Sequence, residues 1–150
     1  MEPLHVKEVA PTTQKYFYPA MSYCGGALYG IYRKKELIRI ESTFGAELGY
    51  STQNVEFKNG KIVGIHYREH YADYDKYREK YPNLGVIDPA KVTYSDTLYI
   101  LSFGKEKSFK TYAGKRLIST KTNEELTNRL LKCAETMQQE LNSEKQLVKD

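Results

Sequence analysis

Residues 66–70 read HYREH and match H-x-x-E-H, the pattern in which two histidines hold zinc and a glutamate activates water. That chemistry needs a helix, which brings residues i and i+4 onto one face so that both imidazoles reach one metal. On a strand, residues four apart are separated by about 13 Å, too far for a shared ion. The run KIVGIHY alternates like a strand through Tyr67, which places His66 on a strand, and no downstream acidic residue stands out as a third ligand. His66 and His70 are therefore expected as surface or rim side chains, with no metal or other cofactor implied.

Two further groups carry potential chemistry. Cys24 precedes Gly25-Gly26, and His66 or His70 would have to serve as its base. A catalytic thiol usually sits at a helix N-terminus or beside a cation, whereas Cys24 leads into a strand. Cys24 and Cys133 are expected as two reduced, partly buried thiols; the alternative is a disulfide tying the two ends of the chain, worth about 4 kcal/mol by loop entropy. The second group is a tyrosine stripe. Tyr67, Tyr71, Tyr74, Tyr77 (or Arg78) and Tyr81 recur at helical spacings of three and four, among Arg68, Lys76, Arg78 and Lys80. Such a stripe either packs a short helix onto a sheet or forms a recognition surface. As a surface, its binding residues are Tyr71, Tyr74, Tyr77, Arg78, Tyr81 and Arg68. Asp73, Asp75 and Glu79 would repel a phosphate backbone, which disfavours nucleic acid.

Composition bounds what can position these groups. With 150 residues the chain forms one domain with a real core. Fourteen tyrosines, five phenylalanines and no tryptophan suit half-buried sheet surfaces, where the ring packs and the hydroxyl reaches a partner. The net charge of +4 comes from interleaved signs, unlike the single-sign field of a nucleic-acid binder. No apolar run reaches the roughly 18 residues needed to cross a bilayer. The first residues lack the apolar region of a signal peptide, so the expected compartment is the cytoplasm, or outside it if Met1 replaces a removed leader.

The pattern along the chain predicts an α+β fold: an antiparallel meander of about six strands, curved or half-barrel, with a C-terminal helix packed on it. A polar lead (1–22) precedes hairpins over 23–69. ALYGIYR and ELIRIESTF pair across Lys34-Lys35, and either loop length puts Tyr29 and Ile31 on one face with Ile38 and Ile40, and Arg39, Glu41 and Thr43 on the other. A longer loop is expected, since lysine suits the positive φ of a type I′ turn poorly. Between the next two strands, a three-residue Lys58-Asn59-Gly60 loop keeps Val55, Phe57, Val63, Ile65 and Tyr67 together, which a two-residue loop would not. Residues 70–91 interrupt the sheet with a short helix, about Ala72 to Tyr81. Strands over 96–103 and 108–112, with a short one at 116–119, complete the segment 92–120. A helix over 122–145 closes the chain, with Thr122 as N-cap, Glu125 completing a capping box, and Leu126, Leu130, Ala134, Met137 and Leu141 on one face. Glycine, alternating strand, polar turn and second strand recur in three places.

GALYGIYRKKELIRI and VEFKNGKIVGI resemble hairpins of small secreted or lipoprotein-type β-meander domains of unknown function from Bacteroidota. The resemblance covers roughly the first half of the chain and implies a bacterial, extracytoplasmic protein without implying an activity. Together these features favour a non-catalytic binding module for a protein partner, an adaptor or an immunity protein. The alternative is a carrier of a small apolar or sugar ligand in a pocket between sheet and helix. A metal- or cysteine-dependent hydrolase ranks third.

Overall fold

The computed structural model describes residues 12–17, 27–46, 48–83, 85 and 87–148, with side chains over the same residues except 12–17, 46 and 143–148. Eight strands form one sheet: β1 (Thr12–Phe17), β2 (Ala27–Arg33), β3 (Glu36–Ala46), β4 (Gly49–Lys58), β5 (Lys61–Ala72), β6 (Tyr94–Phe103), β7 (Lys107–Ala113) and β8 (Arg116–Ser119). Spatial order follows chain order from β1 to β8, so the sheet is an open meander rather than a closed barrel. Two helices accompany it, α1 (Tyr74–Lys80) and α2 (Glu124–Val148). The α+β meander with its C-terminal helix is as expected from the sequence. It has more strands than expected: β1 arises inside the polar lead, where Thr-Thr-Gln-Lys-Tyr-Phe pairs with β2 from Thr12↔Tyr32 to Phe17↔Ala27.

Both hairpin loops read from the sequence need correction. Lys34 and Lys35 form a two-residue turn at φ of 50° and 69°, closed by the pair Arg33↔Glu36. Asn59 and Gly60 do the same at 54° and 78°, closed by Lys58↔Lys61. Positive φ at both positions is the type I′ geometry, whose twist matches the flanking strands. In each case a bulge then restores the apolar register. The register shifts after Tyr32↔Leu37, leaving Ile38 extra, and after Phe57↔Ile62, leaving Val63 extra. The last hairpin repeats the device: Gly114-Lys115 turns, Tyr112 pairs Leu117, and Ile118 is the extra residue. Thus YRKKELI, FKNGKIV and YAGKRLI are one motif used three times: aromatic, strand residue, two-residue turn, strand residue, aliphatic, bulged β-branched residue. The bulge absorbs the odd residue that otherwise argued for a longer loop. It also reverses the face expected for Tyr29 and Ile31. They pair with Glu41 and Arg39, while Gly30 pairs with Ile40 and Leu28 with Ser42 on the helix side.

The inner face is ordered in rows. Gly30, Ile40, Val55, Ile65, Leu101 and Phe109 are successive register partners across six strands. The five of these with apolar side chains are buried to 6% or less, so the row is a continuous apolar ridge across the sheet. The α2 stripe of Leu126, Leu130, Ala134, Met137 and Leu141 is buried against it, as the periodicity of the helix requires. Each fully buried aliphatic contributes about 1.5–3 kcal/mol, which is what holds a 25-residue helix in place. The cap differs from expectation: Asn123, rather than Thr122, accepts the Leu126 backbone N–H with its side chain at 3.0 Å, so the helix starts one residue later. At the far end, a Cβ on Gly30 would come within 3.0 and 3.1 Å of the two Leu141 methyls. Glycine there lets the helix approach the strand. Cys133, on the edge of the stripe, is disulfide-bonded, which corrects the expectation of a reduced thiol; Cys24 lies outside the described residues.

Two stability measurements test these points. Gly30→Val is expected to cost about 1–3 kcal/mol in urea denaturation, through overpacking against Leu141. Combining it with Leu141→Ala should cost less than the sum of the two single changes, whereas strict additivity would show that the contact is not limiting. Replacing Lys34-Lys35 by Asn-Gly is expected to raise stability by about 1 kcal/mol, since both positions need positive φ. A loss of stability would contradict the two-residue turn.

Candidate functional site

Strand β5 runs through all of HYREH and ends only at Ala72. His66 and His70 thus lie four residues apart on one strand, both on the face opposite the helix, paired with Asn54 and Tyr50 on β4. Among the described residues no group of three or more His, Cys, Asp or Glu is placed to hold a metal ion. His70 instead stacks between two tyrosines, with ring centroids 5.1 Å away at Tyr50 and 5.1 Å away at Tyr94. Its Nδ1 lies 3.8 Å from Asp96, which also accepts two hydrogen bonds from the Arg68 guanidinium at 2.7 and 2.9 Å.

The tyrosine stripe does not form one surface. Tyr71 remains on β5 and faces the helix side, while Arg68 faces the other way and is held by Asp96. Only Tyr74, Tyr77 and Arg78 are on α1, with Tyr81 as its C-cap. Asp73 caps the N-terminus of α1 by accepting the Lys76 N–H, so the helix begins after the expected Ala72. Tyr77 is buried and its hydroxyl accepts the Asp88 N–H at 2.9 Å. It anchors the returning loop. Tyr74 lies 5.8 Å from the Arg78 guanidinium, and Tyr81 sits beneath the ammonium groups of Lys80 and Lys91 at 5.8 and 5.2 Å.

The sequence suggests a pocket between sheet and helix only as an alternative and without its residues; a cleft of about 470 Å³ lies there, lined by Ser42, Phe44, Gly45, Ser51, Gln53, Tyr67, Tyr71, Arg129, Leu130 and Cys133. Register builds it. Beside the apolar ridge runs the row Ser42–Gln53–Tyr67–Tyr99, and beyond it Phe44–Ser51–Glu69–Thr97. Gln53 is buried and donates from Nε2 to the Leu130 carbonyl on α2 at 3.0 Å, fixing the helix against the cleft. The Ser42 hydroxyl donates to the Gln53 carbonyl at 3.0 Å. Ser51 and Gln53 are 4% and 6% exposed, and the Ser51 hydroxyl and Gln53 Oε1 form no hydrogen bond among the described residues while keeping access to the cleft. Both atoms can bond whatever occupies the cleft, water included.

The electrostatics of the cleft centre on Tyr67. Its hydroxyl donates to Glu69 at 2.9 Å, and the Arg129 guanidinium lies 5.9 Å from its ring centroid. Burial first, then the Glu69 charge and hydrogen bond, push the Tyr67 phenol well above its ordinary value, with Arg129 opposing. Burial and Glu69 act on Tyr99 in the same direction. A signal for the cleft did exist in the sequence: Ser42, Ser51 and Gln53 fall at inward positions of strands whose other inward residues are apolar. Compared with family models, with characterised proteins and with solved structures, the chain matches none.

The Tyr67 environment has a measurable consequence. A phenol whose value is raised on folding favours the folded state fully below about pH 10, and that contribution is lost as pH climbs above it. Tyrosinate absorbance should therefore show a slow-titrating fraction well above pH 10, coincident with falling stability. Glu69→Gln is expected to lower the titration of that fraction, because burial remains and the negative neighbour is gone. An unchanged profile would refute the role assigned to Glu69.

Proposed function

We propose that this chain is a non-catalytic binding module whose cleft between sheet and α2 takes a small ligand. The observation that carries this reading is a cleft of about 470 Å³ in which Ser51 and Gln53 bring accessible, unbonded polar atoms to a lining that includes Phe44, Tyr67, Tyr71 and Leu130. Small-molecule sites combine a concavity of this size with a few polar groups of that kind. The two histidines support binding rather than hydrolysis as well, since the sheet separates them from the cleft. The disulfide at Cys133 supports an oxidising compartment, the periplasm or surface of a bacterial cell.

Docking of a protein partner is the second reading, favoured by the outer face. There Tyr50, Tyr94 and Leu117 are exposed, at 39%, 43% and 47%. Tyrosines with one apolar and one polar end suit interfaces, but Arg68 and His70 beside them are already engaged with Asp96. The cleft has unengaged polar atoms and the outer ladder fewer, so the small-ligand reading ranks first.

Titration with the neutral fluorophore N-phenyl-1-naphthylamine tests it. The expected result is saturable one-to-one binding, weakened at least about tenfold in Ser51→Leu, which fills the cleft floor. Circular dichroism should show the variant folded. Equal binding by a folded Ser51→Leu, or no saturable binding by the parent protein, would overturn the proposal.

A further inference from the structure

We infer that the ligand of the cleft is an amphipathic acid, an apolar body carrying one carboxylate, with Arg129 as its anion partner. This rests on the cleft being the binding site. Arg129 is the single formally charged residue among the ten that line the cleft. Its guanidinium stays ionised throughout the physiological range and offers paired N–H donors that match a carboxylate. Among the described residues it forms no ion pair. Glu69, the carboxylate on the adjoining row, is occupied by the Tyr67 hydroxyl instead. The Tyr67 ring holds the cation from one side, 5.9 Å from the ring centroid, and so keeps it at the cleft.

The remainder of the lining sets the rest of the ligand. Phe44, Leu130 and the half-cystine Cys133 present apolar surface, and Leu130 is buried by the helix contact itself. Gln53 Oε1 accepts and cannot donate, so it matches a hydroxyl or amide N–H on the ligand body. Ser51 does either. A bare sugar would leave the apolar wall without a partner, and a plain hydrocarbon would leave Arg129, Ser51 and Gln53 unmatched. An acid with an apolar body satisfies both. The Arg129 cation at the rim of a mostly apolar cleft is complementary to that class.

Displacement of N-phenyl-1-naphthylamine separates this inference from the reading beneath it. Below their aggregation limits, decanoate and decanol are compared as competitors, with glucuronate as an acid that lacks the apolar body. In the parent protein decanoate is expected to compete about fivefold better than decanol, the scale of a partly exposed ion pair, and glucuronate weakly. Arg129→Gln should remove the preference for decanoate, read as the ratio of the decanoate and decanol inhibition constants so that any change in dye affinity cancels, and added salt should narrow it in the parent protein alone. If Arg129→Gln binds dye and keeps the preference, or if glucuronate competes as well as decanoate, the inference is wrong and the cleft stands. If the dye does not bind the parent protein, the cleft reading fails first and the inference with it.

Discussion

The structure depends on one apolar contact, the ridge Ile40–Val55–Ile65–Leu101–Phe109 against the stripe Leu126–Leu130–Ala134–Met137–Leu141. The ridge runs across the strands because its members are register partners, and the helix crosses them from β5 through β4 to β2. Arg129 lies over Tyr67 of β5, Leu130 meets Gln53 of β4, and Leu141 reaches Gly30 of β2. A helix laid along the strands would cover two or three of them; laid across, it reaches from β5 to β2. Any slip of one residue in a single hairpin would turn that strand's member of the ridge outward. Hence the two-residue turns followed by a bulge at Ile38, Val63 and Ile118 matter beyond their hairpins. They keep register while letting each turn take the tight geometry that its twist favours.

The cleft follows from the same arrangement. A helix about 10 Å across cannot cover an inner face several rows deep, so polarity rises as the face emerges from beneath it. The ridge is wholly apolar, the next row is Ser42, Gln53, Tyr67 and Tyr99, and the row beyond holds Ser51, Glu69 and Thr97. Gln53 stands at the boundary. Its amide reaches a carbonyl of α2 that the helix already uses internally, which spends one end of the side chain on structure and leaves the other end to the cleft. Burial of Tyr67 beside Glu69 and Arg129 gives the same place its electrostatic character.

The sequence made legible what depends on periodicity. Strand alternation located β2 to β8, the 3.6-residue stripe located α2, and His66 was legible as strand because KIVGIHY alternates into it, although the expected insertion from residue 70 began before β5 ends at Ala72. What depended on an odd residue was not. Tyr29 and Ile31 look inward-facing by alternation until Ile38 is counted as a bulge, and Lys34-Lys35 contradicts turn preference outright. β1 was hidden because TTQKYF has no apolar alternation; its pairing with β2 is a backbone matter. The cleft was hidden for a different reason. It is made by Ser42, Ser51, Gln53, Tyr71 and Arg129 from four elements, and the inward polar residues that signal it come together only once register and the helix position are known.

The tyrosine-rich segment has a structural role that its helical spacing concealed. After β5 the chain must turn, build α1 and return to start β6 beside β5, and three hydrogen bonds hold that excursion. Ala72 N–H donates to the Leu48 carbonyl, Asp73 N–H to the Thr93 carbonyl, and Asp88 N–H to the buried Tyr77 hydroxyl. Tyr77 therefore acts as a peg for the returning loop, which explains why one tyrosine of the series is buried while Tyr74 and Tyr81 hold cations at the surface. Because this brace fixes the ends of β5 and β6, it also fixes Tyr71 near the mouth of the cleft and Tyr94 beside His70 on the opposite face. One excursion thereby positions the rims of both faces, Tyr71 on the helix side and Tyr94 on the other.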